Sequence, residues 1–128
     1  MKQAKFSFRK RIESFKYAFN GLKILLKEEH NSRIHLFAAT LAVFAGFIFK
    51  ISTMEWIAIV FAIGFVFVLE IINSAIENVA DFISPEKHDT IKKIKDLAAA
   101  AVLCAAISAL IIGFLVFIPK SLTMFRAI

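Results

Sequence analysis

"WIAIVFAIGFVFVLEIINSAIENVADFI", Trp56–Ile83, changes character halfway along. Its first half, Ile57 to Leu69, carries no polar side chain. Its second half brings in Glu70, Asn73, Ser74, Glu77 and Asp81. At 100° per residue, Glu70, Ser74, Glu77 and Asp81 fall within a sector of about 60°, with Asn73 at its edge. A hydrocarbon core of about 30 Å takes about 20 helical residues. Counted from Trp56, Glu70 falls just inside that core, Glu77 near its boundary and Asp81 beyond it. One helix face therefore runs from water into lipid.

The rest of the chain agrees with a membrane reading. Of its 128 residues 59% are hydrophobic, with a mean hydropathy of +0.75, against about 45–50% apolar usage in soluble domains. The length allows one domain, residues 1–128. The formal charge of +6 does not indicate a nucleic-acid partner, because nine of the sixteen Lys and Arg precede the first long apolar run. Basic residues interleaved with aromatics on a polar surface would be expected of a nucleic-acid module. The one cysteine, Cys104, lies in "AAAAVLCAAISALIIG" and reads as a buried hydrophobe, not as part of a disulfide or metal framework. No cleavable signal peptide is expected.

Residues 6–28 read as an amphipathic helix. Phe8, Ile12, Phe15, Phe19, Leu22 and Leu26 step by three and four, with Arg9, Glu13, Lys16, Lys23 and Lys27 on another face. Such a helix lies along a membrane surface. "KEEHNS" makes a corner in which Ser32 is a candidate N-cap. Spans are expected at about 33–50, 54–83 and 90–118, an all-α membrane fold of a surface helix and three transmembrane helices. Ser52 and Glu55 match a capping box at the head of the second span. Pro119 is expected to stop the third. The basic residues cluster in the N-terminal segment and in "SPEKHDTIKKIKD", which puts both on the cytoplasmic side of a bacterial inner membrane and the C-terminus outside.

Carboxylates inside a membrane are costly and usually functional. Glu70, poorly solvated at the edge of lipid, suits a general base. Glu77, nearer water, suits a hard cation such as Mg²⁺, which takes one or two carboxylates together with substrate phosphates. Glu28 and Glu29 lie at the same membrane face, and Lys92, Lys93 and Lys95 are available for phosphate oxygens. Together these features describe phosphoryl transfer to a membrane alcohol. Neither a phosphate-binding glycine loop nor a protein-kinase signature is present.

"EIINSAIENVADFISPEKHDTIKKIKDLAAAAVL" resembles the signature of the small prokaryotic diacylglycerol kinase family, E-I-x-N-[ST]-A-I-E-x-x-x-D with a later K-D, and the resemblance extends from about Phe15 to Pro119. It implies a homotrimer of three-span subunits with active sites shared between neighbours and MgATP as phosphate donor. By position it makes Glu70 the catalytic base, and Glu29 and Glu77 the magnesium-binding residues. Tyr17, Glu86, Lys87, His88, Lys95 and Asp96 match nucleotide contacts, and so does Lys10, where the diacylglycerol branch has arginine. Asn73 matches a motif asparagine that orients the phosphates or the base, with Asp81 and Glu28 in support. Lys16, Phe19, Lys23, Arg33, Trp56 and Ala99 are candidate lipid contacts, Ala99 standing where the diacylglycerol branch has serine. "KEEHNSRIH" and "FKISTMEWI" look more like the branch that phosphorylates undecaprenol.

A rival of another class is a small proton- or ion-coupled transporter using the Glu70/Glu77 stripe as its relay. A relay should continue across the membrane, and Ile57 to Leu69 interrupts it.

Overall fold

The computed structural model describes residues 5–128, so residues 1–4 of the expected single domain lie outside the described residues. The chain forms four helices: α1 (Phe8–Glu28), α2 (His30–Ile48), α3 (Thr53–Ile83) and α4 (Asp89–Ala127). The last three are long and apolar enough to cross a membrane. This is an all-α membrane protein.

α1 opens at Ser7, whose hydroxyl accepts the Lys10 backbone N–H. Its apolar stripe stays uncovered, with Phe8, Ile12, Phe15 and Phe19 all exposed. Leu25 alone is buried, at 2% exposure. Burying one leucine contributes about 1.5–3 kcal/mol, which anchors the last turn of α1 and leaves the rest of the helix to present its apolar side to lipid.

A single residue, Glu29, separates α1 from α2 and occupies the N-cap position of α2, making no side-chain capping bond. This corrects the expectation for Ser32. The helix starts earlier, at His30, and the Ser32 hydroxyl turns inward, fully buried, to donate to Glu70. A hydrogen bond to a buried carboxylate is stronger than one to an exposed backbone N–H, so the tertiary contact outcompetes the cap.

α2 and α3 are joined by a tight corner in which Lys50 takes φ 50° and Ile51 N–H donates to Gly46 O at 3.1 Å. The capping box at the head of α3 is formed: Glu55 N–H donates to Ser52 Oγ, and Ser52 N–H donates to Glu55 Oε1 at 2.9 Å. Gly46 is required here, since a Cβ at this position would lie 2.5 Å from Trp56 Cη2. The corner closes over a small core of Ile51, Ile59 and Val116.

α3 and α4 make the most extensive contact in the chain, and the residues buried on them include small and β-branched ones, Ala62, Val66, Ala98 and Ala105, of the kind that lets helices approach closely. α4 does not stop at Pro119 but continues to Ala127. The missing proline N–H leaves the Leu115 carbonyl without its helical donor. Two contacts hold the helix beyond this point. Thr123 Oγ1 donates to Pro119 O at 2.9 Å, and Lys120 Nζ meets Glu55 Oε1 of α3 at 3.3 Å. At 1.5 Å per residue α3 is about 46 Å long and α4 about 58 Å, both longer than a hydrocarbon core.

Candidate active site

Three elements converge on Glu70. From α3, Glu70 and Ser74 are buried at 4% and 6% exposure, one turn apart on the same face. From α2, Ser32 Oγ donates to Glu70 Oε2, and His35 Nδ1 lies 2.5 Å from Glu70 Oε1. From the α1–α2 elbow, Glu29 Oε1 accepts the Ser74 hydroxyl at 3.3 Å. The polar face of α3 is thus covered by the start of α2, and Glu29 is tied to it one turn before Glu77, which is half-buried.

The His35–Glu70 contact is close but not aligned as a hydrogen bond, and both facing atoms are buried with no other partner. Asn73 Oδ1 is likewise buried and unsatisfied among the described residues. His35 also lies at the margin of a cleft of about 630 Å³ between α2, α3 and α4. Apart from His35 its lining is apolar, with alanines of α2 facing Ala62 and Val66 of α3 and Gly113 and Phe114 of α4. An apolar channel therefore leads from the membrane interior to the imidazole beside Glu70.

At the other end of the polar face, Lys95 Nζ of α4 lies 2.5 Å from Asp81 Oδ1 of α3, and Lys92 Nζ lies 2.6 Å from Asp96 Oδ2 within α4. Glu86, Lys87 and His88 occupy the α3–α4 connector. His88 caps α4, its Nδ1 accepting the Thr90 N–H at 3.1 Å. An open depression of about 460 Å³ is lined by Asp89, Lys92, Lys93 and Asp96 with Leu97.

The remaining candidates are not gathered here. Lys10, Lys16, Tyr17, Phe19 and Lys23 are exposed along α1, and Glu28 is exposed at its end. Arg33 is exposed and donates to Lys27 O at 3.3 Å. Ala99 is exposed on α4. Trp56 packs on Gly46 and Phe47 at the far end of α3, fourteen residues and so about 21 Å along the helix from Glu70. Among the described residues no three His, Cys, Asp or Glu side chains gather as a metal cage.

Sequence reasoning missed Ser32 and His35 as neighbours of Glu70. Their spacing of three residues on α2 put both on one helix face, but nothing local showed which face met α3.

The sequence model of the prokaryotic diacylglycerol kinase family matches residues 16–117. The chain belongs to this family. As a prokaryotic diacylglycerol kinase family member it is a membrane enzyme of the lipid kinase class. Undecaprenol kinase of Bacillus subtilis (strain 168) is 38% identical over 109 residues, which span 85% of this chain and 89% of the relative. Diacylglycerol kinase of Synechocystis sp. is 32% identical over 114 residues, 88% of this chain and 65% of the relative. Diacylglycerol kinase of Escherichia coli (strain K12) is 33% identical over 104 residues, 81% of this chain and 85% of the relative. The family match covers every residue described above at Glu70.

Proposed function

We propose that this family member transfers the γ-phosphoryl group of ATP to the hydroxyl of a membrane lipid alcohol, undecaprenol in preference to diacylglycerol, at the cytoplasmic boundary of the inner membrane. The observation that carries the reading is the position of Glu70. It is a carboxylate at 4% exposure, in contact with α2 and with His35, the polar residue at the margin of an otherwise apolar cleft. A lipid tail in that cleft brings its hydroxyl to the one polar end.

Glu70 accepts the hydroxyl proton as the hydroxyl oxygen bonds to the γ-phosphorus; the bond to the bridging oxygen breaks and its electron pair leaves on ADP. Glu29 and Glu77 would hold Mg²⁺. Their number fits that ion, which usually takes one or two carboxylates and leaves the remaining positions to phosphates and water. The ion supplies charge neutralisation at the phosphates. Lys95, with the connector residues Glu86, Lys87 and His88, meets the nucleotide, and Asn73, whose Oδ1 is buried without a partner among the described residues, orients the phosphates or the base.

Lys10 and Tyr17 lie exposed on α1, which supports a homotrimer in which one copy completes the nucleotide site of another. The N-terminus and the α3–α4 connector face the cytoplasm, the C-terminus the outside. Undecaprenol is favoured by the "KEEHNSRIH" and "FKISTMEWI" segments and by the 38% identity to a relative named for that activity. Family membership and the one-sided polar face favour a kinase over transport.

The test is transfer of labelled phosphate from ATP into undecaprenol or diacylglycerol, offered separately to purified protein in lipid micelles. Label should enter undecaprenol faster and disappear with Glu70→Gln or without magnesium. A folded oligomer that labels neither lipid refutes the reading.

A further inference from the structure

His35 has no part in the reaction as read so far. It is the one polar residue on the apolar cleft, and its Nδ1 lies 2.5 Å from Glu70 Oε1. Two bare lone pairs at that separation would repel, whereas an imidazole carrying its hydrogen on Nδ1 can donate to the carboxylate oxygen. Both atoms are buried and neither has another partner among the described residues. Buried polar groups are rarely left unpaired, which makes each of these two atoms the natural partner of the other. The second carboxylate oxygen is taken by Ser32 Oγ, one turn earlier on the same helix. Both grips on Glu70 therefore come from α2, and neither comes from the helix that bears it.

We propose that His35 is a positioning residue for the reaction: its Nδ1, acting with the Ser32 hydroxyl, fixes the Glu70 carboxylate so that a free lone pair meets the lipid hydroxyl. The proposal rests on the reading of Glu70 as the base. An ionised carboxylate accepts at about four lone-pair sites and these two contacts occupy two, so capacity for the substrate proton remains. Without the imidazole, the carboxylate keeps one anchor and swings about it. Losing the imidazole disturbs the reacting geometry far more than the hold on ATP or on the lipid tail, so the loss belongs in kcat and not in KM.

The side-chain geometry supplies the test. The amide nitrogen of asparagine reaches about where Nδ1 of histidine stands, whereas that of glutamine reaches about where Nε2 stands. Full-length His35→Ala, His35→Asn, His35→Gln and Glu70→Gln proteins would be purified in lipid micelles and checked for wild-type oligomer size and melting. Their kcat and both KM values would then be measured with ATP and undecaprenol. We expect kcat of His35→Ala and His35→Gln to fall up to about 100-fold, with both KM values within about twofold of wild type. His35→Asn should recover most of the rate. Wild-type kcat in His35→Ala, an asparagine variant as slow as alanine, or a loss confined to KM would each overturn the proposal while Glu70→Gln remained inactive. Should alanine fail to fold, the contrast between asparagine and glutamine decides alone: equal rates overturn the proposal. An active Glu70→Gln protein removes the base itself, a separate failure that takes this inference with it.

Discussion

Ser74 Oγ donates to Glu29 Oε1 across 3.3 Å, which ties the single residue between α1 and α2 to the polar face of α3. If Glu29 and Glu77 hold the magnesium ion, Glu29→Gln and Glu77→Gln should each raise the Mg²⁺ concentration for half-maximal rate by at least about tenfold. Ser74→Ala should raise it less, because the carboxylates remain. Magnesium titrations of phosphate transfer measure this, and unchanged titrations in both glutamine variants would move the metal elsewhere. Chelation with EDTA should stop transfer, and added magnesium should restore it.

Glu70 separates chemistry from stability. Glu70→Gln keeps an oxygen for the Ser32 hydroxyl but loses the base, so the protein should melt near the wild-type temperature while its rate falls about 10²–10⁴-fold. Ser32→Ala should lower the melting temperature as well as the rate, because it removes one of the two grips on the Glu70 carboxylate. A carboxylate at 4% exposure loses a donor, at a cost of about 1–3 kcal/mol. Paired melting and activity measurements distinguish the two.

Gly46 lies under the Trp56 ring, where a Cβ would meet Cη2 at 2.5 Å and Cζ2 at 2.8 Å. Gly46→Ala should destabilise by about 1–3 kcal/mol through overpacking. Trp56→Leu removes those ring atoms, so the double variant should be more stable than the sum of the single losses predicts, by the coupling expected of residues in contact. Additive losses would show that the helices can part at no cost.

Lys95 and Asp81 pair across α3 and α4 with side-chain exposures of 36% and 62%, so solvent screens the pair and it contributes little to stability. Lys95→Ala should therefore barely move the melting temperature yet raise KM for ATP several-fold, by roughly the loss of one charge-assisted hydrogen bond. Exchanging the charges, Lys95→Asp with Asp81→Lys, should restore the pair but not the KM. Recovery of KM in the exchanged protein would make Lys95 a structural residue.

The hydrophobic pattern made the membrane helices legible, because apolar runs of this length have few other homes. The capping box of Ser52 and Glu55 was legible too, since both of its bonds are local. Glu70 and Ser74 shared a face by arithmetic alone. What lay across from that face was not legible: the hydroxyl of Ser32 had a local use as a cap, and only the register of α2 against α3 showed that Glu70 was the better partner. Pro119 misled for a related reason. The rule that proline ends a helix counts one lost bond, whereas Lys120 and Glu55, far apart in sequence, hold α4 in place beyond it.

The elbow at Glu29 also bears on substrate choice. α1 offers its apolar side to the membrane surface, α2 descends into the bilayer, and the two meet at one residue that touches Ser74, a turn from Glu70. On the proposed reading of Glu70 as the base, the elbow would hold its carboxylate at a set depth beneath the headgroups, like a mark on a ruler whose zero is the surface helix. On the kinase reading, selection then acts on how high a hydroxyl floats in the bilayer more than on the tail beneath it. Lipids as unlike as a long polyprenol and a two-chain glyceride become alternatives for one scaffold, separable by small changes in the floor of the cleft.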